Sequence, residues 1–343
     1  MTSTEQKGID LEGEHIAPQS VEFPSGSPYL LEEVAEHDSP VNPLAVKAQL
    51  FLPEEGTGPR PAVLVAHGLG GQKPARELTY GAKFTKAGYV SLVLDSFEAR
   101  ELADAPDDFK ALRVTTWTLL ADIFAGLELL AKHPRVDPNL ISIMGFSWGG
   151  MTTVLTAYDQ IRRAFLGDKP LRFAAHASYY GCSIPRLEDP TTTGAPVLML
   201  LGKHDRNVSV ERSRQICDDL RRGGSDVDLR IFDAYHQWDG DDEEKRHVFG
   251  SLADLHFRIG RDNEVVEEDG STTMRGIVAR TLMIVRNLDW GGYDILRDED
   301  LHRHSDELLL GFLGRVAAAR GSATPDKGEV PLGAIGQEPA SES

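Results

Sequence analysis

Ser147 lies in a pentapeptide that is typical of a catalytic serine. The sequence Gly145-Phe-Ser-Trp-Gly149 follows the apolar stretch 140–144 and precedes a stretch with helical character. Strand, sharp turn and helix is the context in which G-x-S-x-G holds a serine at a strained turn. The glycines avoid crowding there, and the helix N-terminus favours negative charge beside the hydroxyl. We therefore take Ser147 as the candidate nucleophile, although this short pattern also arises by chance.

Two further residues could complete a catalytic set with this serine. A serine hydroxyl is a weak nucleophile at neutral pH and needs a base within hydrogen-bond reach. Asp205 follows the strand-like stretch 196–201, and His236 follows the stretch 228–232. The chain order of serine, acid and histidine is the one that α/β-hydrolases use. In such a set His236 takes the proton of Ser147 and returns it to the leaving group, while Asp205 orients the imidazole.

Each of these residues also has a purely structural interpretation. A carboxylate after a strand is usually a turn residue or a helix cap. Asp233 and Asp239 are rival acids, although Asp233 is disfavoured because it is so close in sequence to His236. What favours a triad is that all three residue types occur in the required order, each after a predicted strand.

Two backbone N–H groups are predicted to stabilise the oxyanion that forms on attack at an acyl carbon. One belongs to Trp148, directly after the candidate nucleophile, and the other to Leu69. Leu69 lies in the sequence His67-Gly-Leu-Gly-Gly71, which follows the apolar stretch 62–66. Its glycines would allow the loop to come close to a substrate.

Four side chains near the expected rim of the site are candidate substrate contacts: His67, Arg100, Arg206 and Trp238. His67 is also placed to support the oxyanion loop. An arginine could hold a substrate carboxylate, but ion pairing with the many acidic residues of the chain is the simpler expectation for both arginines.

No metal or cofactor is expected from the motifs. The acidic and histidine residues of the stretch 298–304 match no zinc motif such as H-E-x-x-H, and we interpret them as a solvated helix face. The glycines of 68–71 are not followed by the Gly-Lys-Ser/Thr of a Walker loop. They also lack the third glycine of a dinucleotide-binding fingerprint.

Alternating strand-like and helical stretches predict how these residues are positioned. The pattern indicates an α/β fold, a mostly parallel central sheet with helices on both faces. In such sheets ligands bind beyond the carboxyl ends of the strands, so the candidate residues should gather at one rim. The predicted strands are 21–23, 44–52, 62–66, 89–95, 140–144, 173–180, 196–201 and 228–232. The predicted helices are 77–87, 114–132, one from Ser147 to about residue 161, and 210–222, with 104–110 as an acidic loop.

The chain is expected to form a single domain over residues 21–320. Its core would span about 44–250, followed by a C-terminal hairpin and helices at about 251–320. The hairpin is predicted around 260–263, and the two helices at 274–286 and 300–319. The polar segments 1–20 and 321–343 are expected to be disordered.

Composition restricts the partners and the compartment. The net charge of −18 argues against nucleic acid and anionic membranes as partners. No apolar run is long enough to span a bilayer, and the N-terminus has no apolar signal segment. Two cysteines, Cys182 and Cys217, do not make a disulfide framework and suit a cytoplasmic location. Cys182 lies outside the nucleophile motif and is expected in the core.

Taken together, the motifs resemble the dienelactone hydrolase family of α/β-hydrolases over residues 21–257. The resemblance rests on Val65-Ala-His-Gly-Leu-Gly-Gly71, Leu94-Asp-Ser-Phe-Glu-Ala-Arg100, Gly145-Phe-Ser-Trp-Gly-Gly150, Gly202-Lys-His-Asp205 and Ala234-Tyr-His236. It implies hydrolysis of small esters or lactones through an acyl-enzyme without a cofactor. By motif, the family's nucleophile, acid and base correspond to Ser147, Asp205 and His236.

Two departures from the family pattern qualify the expected substrate. The dienelactone hydrolases proper carry cysteine at the nucleophile position, whereas serine suits ordinary esterase chemistry. They also end soon after the histidine, so the added C-terminal part is expected to frame the pocket or a homodimer interface. The leading hypothesis is a serine hydrolase of carboxylic esters or lactones. The alternatives are a serine peptidase or amidase, and a non-catalytic binding protein of the same fold.

Overall fold

A computed structural model describes residues 8–11, 13–35, 39–54, 56, 58–182, 184–270 and 273–321. The strands are β1 (Ile9–Leu11), β2 (Glu14–Ile16), β3 (Gln19–Ser25), β4 (Leu44–Phe51), β5 (Arg60–Ala66), β6 (Val90–Asp95), β7 (Val136–Phe146), β8 (His176–Tyr179), β9 (Arg186–Leu187), β10 (Val197–Gly202), β11 (Val227–Phe232), β12 (Arg246–Val248), β13 (Phe257–Ile259), β14 (Val265–Glu267) and β15 (Tyr293–Ile295). The α-helices are α1 (Leu31–Ala35), α2 (Thr79–Lys86), α3 (Asp107–Arg113), α4 (Thr116–Lys132), α5 (Trp148–Leu155), α6 (Asp159–Leu166), α7 (Val210–Arg222), α8 (Gly276–Asn287) and α9 (Glu299–Gly321). Pro74–Leu78 forms a π-helix and Glu98–Arg100 a 3-10 turn.

Eight strands form the central sheet in the order β11-β10-β8-β7-β5-β6-β4-β3. The strands from β11 to β6 in this order run parallel, and β4 and β3 pair antiparallel at one edge. The inner strands are covered on both faces, which explains why β10 is apolar throughout, without alternation. The predicted mostly parallel sheet is confirmed.

Helices cover both faces of this sheet, as predicted. Leu64 and Val65, neighbours in β5, contribute to opposite faces because side chains alternate along a strand. Leu64 belongs to the hydrophobic cluster that contains Phe124 of α4. Val65 belongs to the cluster on the other face, which contains Phe312 of α9. The C-terminal helix therefore forms part of the core.

Local sequence signals determine where α4 begins and ends. Thr115 caps its N-terminus: its hydroxyl accepts the N–H of Thr118, whose hydroxyl accepts the N–H of Thr115. The helix ends at Lys132, two residues before Pro134, as the restriction on residues before proline would lead one to expect.

Helix α4 is a largely apolar helix of 17 residues, most of them buried. Among the described residues, no single helix is long and apolar enough to cross a bilayer. Only α3 and α4 taken together reach the necessary length and apolarity among the described helices, and the two are bent by 77° at their junction. Trp117, Leu120 and Leu127 of α4 are instead buried against the sheet.

Several predicted boundaries differ from the structure. The expectation of disorder before residue 21 is wrong for the described part of that segment, because β1 and β2 form an antiparallel hairpin and β3 begins at Gln19. The loop predicted at 104–110 contains the first turn of α3. The helix predicted after Ser147 is interrupted, and α5 and α6 replace it. The tail expected to be disordered, 321–343, lies outside the described residues except for Gly321, at which α9 ends.

The C-terminal part contains the predicted hairpin and the two predicted helices. β13 and β14 pair antiparallel, and the turn between them places Asn263 at a φ of 66°, a conformation that asparagine tolerates. A second ribbon was not predicted: β12 and β15 pair antiparallel although they are far apart in the sequence. This ribbon joins the C-terminal part to the loop that carries His236.

Candidate active site

Ser147 occupies a sharp turn between β7 and α5. Its backbone has a φ of 52° and a ψ of −112°, a conformation that side-chain-bearing residues rarely adopt. The flanking glycines allow it: a Cβ at Gly145 would overlap the carbonyl of Gly149, and one at Gly149 would overlap that of Ala66. The Ser147 N–H donates to the Tyr179 carbonyl at 2.9 Å. The turn is thus held by close backbone packing that no larger residue permits.

A chain of hydrogen bonds joins the three candidate catalytic residues. The distance from Ser147 Oγ to His236 Nε2 is 3.1 Å, and from His236 Nδ1 to Asp205 Oδ2 it is 2.6 Å. An ionised carboxylate only accepts, so the partners assign the proton to Nδ1 and leave Nε2 to accept the serine hydroxyl. The Asn207 N–H donates to the second carboxylate oxygen of Asp205 at 2.8 Å. The side chains of His236 and Asp205 are fully buried.

The two rival acids lie elsewhere. Asp233 is 74% exposed and pairs with Lys203 and His204 at 2.9 and 2.6 Å. Hydrogen bonding to Lys203 lowers the pKa of Asp233. Asp239 is buried and accepts the hydroxyls of two tyrosines instead of a histidine N–H. Asp205 is therefore the acid that orients His236 in this structure.

The glycine-rich loop after β5 reaches the nucleophile. A Cβ at Gly68 would come within 3.2 Å of the Phe146 carbonyl oxygen and 3.4 Å of Ser147 Cβ, so this backbone passes directly beside the serine. Leu69 is the next residue of the loop and is half-buried. Trp148 is the first residue of α5, where backbone N–H groups have no acceptor within the helix. Both predicted oxyanion donors thus belong to backbone next to Ser147.

His67 supports this loop and is not placed to contact substrate. It is 3% exposed. One ring nitrogen, Nδ1, lies 2.7 Å from the Gly68 carbonyl, and the other, Nε2, accepts the Ser96 N–H at 3.1 Å. The backbone uses both ring nitrogens, so the alternative of loop support describes His67 better than substrate binding does.

The other three predicted substrate contacts have partners within the protein. Arg100 forms a buried ion pair with Asp122 and also donates to backbone carbonyls, so its prediction as a substrate contact is wrong. Trp238 is also not a substrate contact, because it is fully buried and its Nε1 donates to Ser305 Oγ at 3.2 Å. Arg206 is exposed and pairs with Asp289 at 3.2 Å, which agrees with the ion-pair alternative.

A buried polar cluster beneath His236 was not predicted. Asp239 accepts the hydroxyls of Tyr80 (3.2 Å) and Tyr180 (2.5 Å), and burial raises the pKa of its carboxyl. The ring of Tyr180 also lies 4.7 Å from the His236 ring. This cluster anchors the histidine loop, since Asp239 follows His236 by three residues. The sequence signal was weak, because the tyrosines lie on separate elements.

The histidine-rich stretch 298–304 is mostly the solvated face that was expected, since residues 298–300, 303 and 304 are exposed, but His302 is an exception. The side chain of His302 is 14% exposed, and its ring stacks on Tyr80 with centroids 6.0 Å apart. Lys83 Nζ lies 3.0 Å from His302 Nε2. Nowhere in the described ranges do three or more histidine, cysteine or acidic side chains gather as a metal would require.

Cys182 packs against one of the two core clusters, as expected, and it also lies beside the nucleophile. Its Sγ is 3.9 Å from Ser147 Oγ and its side chain is half-buried. Burial raises the pKa of the thiol to about 11. The thiolate is the reactive form of cysteine, so Cys182 is a poor nucleophile at neutral pH. Like the other residues at this rim of the sheet, Cys182 follows a strand, β8, and this position in the sequence could have indicated that it lies near Ser147.

The model of the dienelactone hydrolase family matches residues 46–251, more than half of the chain. The chain belongs to the dienelactone hydrolase family. The match contains the glycine-rich loop, the nucleophile turn, Asp205 and His236, and it ends before β13. The family belongs to the α/β-hydrolases, and the mostly parallel sheet with helices on both faces has that architecture.

Individual relatives of this dienelactone hydrolase family member are distant. The chain is 29% identical over 123 residues to the quorum-quenching protein AidA of Acinetobacter baumannii, covering 36% of this chain and 39% of that protein. It is 24% identical over 155 residues to the uncharacterized peptidase YtmA of Bacillus subtilis, covering 37% and 59%. The chain thus spans less than two thirds of the length of these curated relatives.

One solved structure matches nearly the whole chain. It is a dienelactone hydrolase-like promiscuous phosphotriesterase from metagenomic libraries, with a TM-score of 0.51 at 14% sequence identity. The alignment covers 87% of this chain and 98% of that one. The likeness extends beyond the residues of the family match and shows a shared fold.

The hydrogen bond from Tyr180 to the buried Asp239 can be tested for its contribution to stability. Tyr180→Phe leaves Asp239 with one donor fewer in a buried position, which should lower the free energy of unfolding by about 1–3 kcal/mol. Tyr158→Phe is the matched control, because within the described residues the equally buried Tyr158 hydroxyl has no hydrogen-bond partner. Urea unfolding of both variants measures the difference. Equal losses in the two variants would contradict the anchoring role.

Proposed function

We propose that this protein is a serine hydrolase that cleaves a small carboxylic ester or lactone through an acyl-enzyme on Ser147. The observation that carries the proposal is the hydrogen-bond chain from Ser147 through His236 to Asp205. This series of hydrogen bonds begins at Ser147 in the strained turn and ends at the fully buried carboxylate of Asp205. Buried groups in fixed positions need little reorganisation when charge develops in the transition state.

The geometry supports a two-step reaction. In the first step Ser147 Oγ bonds to the acyl carbon while its proton passes to His236 Nε2. The tetrahedral intermediate then expels the alcohol, which takes that proton from His236. In the second step a water molecule gives its proton to His236 and attacks the acyl-enzyme, and Ser147 leaves with the proton returned. Asp205 stabilises the imidazolium throughout by accepting the proton of Nδ1 in a hydrogen bond.

The oxyanion of each intermediate would be held by the backbone N–H groups of Leu69 and Trp148. The dipole of α5 points its positive end at the same position. In other hydrolases the loss of one such donor lowers turnover on the order of 100- to 1000-fold. Because these donors are backbone groups, their position depends on the glycine-rich loop and on the turn at Ser147.

Serine is a better choice of nucleophile than the neighbouring cysteine. Ser147 has the base within 3.1 Å, whereas the Cys182 thiol, with a pKa of about 11, remains protonated near neutral pH. Dienelactone hydrolases proper use a cysteine at the motif position itself. The proposal is therefore an esterase or lactonase whose chemistry runs through the serine of the motif.

A fluorophosphonate probe tests the nucleophile directly. The wild-type protein should be labelled and should hydrolyse short p-nitrophenyl esters, whereas Ser147→Ala should lose both properties. Labelling is followed by in-gel fluorescence and hydrolysis by absorbance. Labelling that survives Ser147→Ala would contradict the assignment. Turnover of p-nitroanilides in place of esters would instead identify a peptidase or amidase.

The acid can be tested with a pair of conservative variants. Asp205→Asn should lower kcat on the order of 10,000-fold while the protein stays folded, because an asparagine favours the wrong imidazole tautomer. Asp233→Asn is the matched control, and it should retain the wild-type kcat because Asp233 pairs with the surface residues Lys203 and His204. Both rates are measured with the same p-nitrophenyl ester. The reverse ranking of the two variants would show that the acid was misassigned.

A further inference from the structure

The segment beyond the family match holds the backbone of the histidine loop. The N–H of His236 donates to the Asp294 carbonyl at 3.2 Å, and His236 forms a parallel bridge with Ile295. The carboxylate of Asp294 pairs with His247 at 2.9 Å and Lys245 at 3.5 Å. The loop is therefore fixed from one side by β15, which lies outside the residues of the family match.

Tyr293, the first residue of β15, lies against the imidazole itself. The ring centroids of Tyr293 and His236 are 5.0 Å apart with an interplanar angle of 76°, an edge-to-face contact. Tyr180 packs on the same imidazole at 4.7 Å. These two tyrosines and the hydrogen bonds to both ring nitrogens leave His236 with no exposed surface.

Tyr293 also interacts with other residues of the site. Its phenol interacts electrostatically with the Cys182 thiol and the Asp205 carboxylate, and Cys182 Sγ lies 3.9 Å from Ser147 Oγ. The ring thus packs on an imidazole whose two nitrogens contact Ser147 and Asp205. Its removal would open a path for water to the hydrogen bond between His236 and Asp205.

Gly292, directly before Tyr293, allows β15 to come close to its neighbouring strand. Gly292 has a φ of 64°, and a Cβ there would overlap the Val248 carbonyl of the paired strand. The close approach brings β15 against β12, where Val248 lies opposite Tyr293. The local backbone is thus built to place one aromatic ring beside His236.

We propose that Tyr293 is a positioning residue of the active site. Its ring holds the imidazole of His236 in line with Ser147 and shields the His236–Asp205 hydrogen bond from water. The C-terminal segment is then an integral part of the catalytic site and not an appendage to it. The inference about turnover rests on the proposed esterase function, whereas the shielding of the hydrogen bond does not.

Three variants of the full chain test this role. Tyr293→Ala should lower kcat for p-nitrophenyl butyrate on the order of 10- to 100-fold, the size expected when a reacting group loses its alignment. Tyr293→Phe keeps the ring and should restore turnover close to wild type. Trp290→Ala is the matched control, because Trp290 belongs to the same segment but is 70% exposed. Urea unfolding verifies that each variant is folded.

A second readout does not require any activity. The proton between His236 Nδ1 and Asp205 Oδ2 should give a low-field proton NMR signal that is absent in Asp205→Asn. The signal should persist in Tyr293→Phe and Trp290→Ala, and exchange with water should remove it in Tyr293→Ala. A wild-type signal in folded Tyr293→Ala would overturn the proposal. If the wild type hydrolyses no ester, the proposed function fails, and the NMR comparison alone decides the role of Tyr293.

Discussion

The structure depends on one strained residue where a central strand meets a helix. Ser147 keeps its unusual backbone conformation because β7, α5 and the loop after β5 approach each other at distances that only glycine allows. Strain of this kind persists only where the surroundings over-determine it. Here the surroundings are the buried parallel sheet and the Tyr179 carbonyl that accepts the serine N–H. The same packing that forces the turn also brings the glycine-rich loop beside the hydroxyl.

The histidine needs support of a different kind. His236 lies on a loop after an outer strand, β11, and its ring is held by residues from other parts of the chain, the first of which is Asp205. The Tyr180 ring packs on the imidazole and its hydroxyl donates to Asp239, three residues after His236. On the backbone, His236 bridges to Ile295 of β15. The sheet therefore fixes the position of Ser147, whereas the loop that carries His236 is held in part by β15, which comes later in the chain. This division explains why the C-terminal segment matters to the site although it lies beyond the family match.

The sequence predicted most of the sheet and the three residues of the hydrogen-bond chain for a simple physical reason. Continuous apolar strands identify a parallel sheet, and the carboxyl ends of such strands meet at one rim. What it could not predict depends on non-local contacts. Arg100 looked available at the rim, yet its partner Asp122 lies on α4. Trp238 looked like a pocket residue, yet α9 covers it through Ser305. The three-residue strands β12 and β15 are too short for any periodicity to reveal their pairing.

The central claim is that Ser147, and not the cysteine beside it, carries the acyl group. The most direct measurement is rapid acid quenching of the wild-type protein with p-nitrophenyl butyrate, followed by proteolysis and peptide mass spectrometry. The account predicts a butyryl group on the peptide that contains Ser147, formed during the first turnover. A butyryl group on Cys182, or turnover that leaves Ser147 unmodified at every quench time, would contradict it.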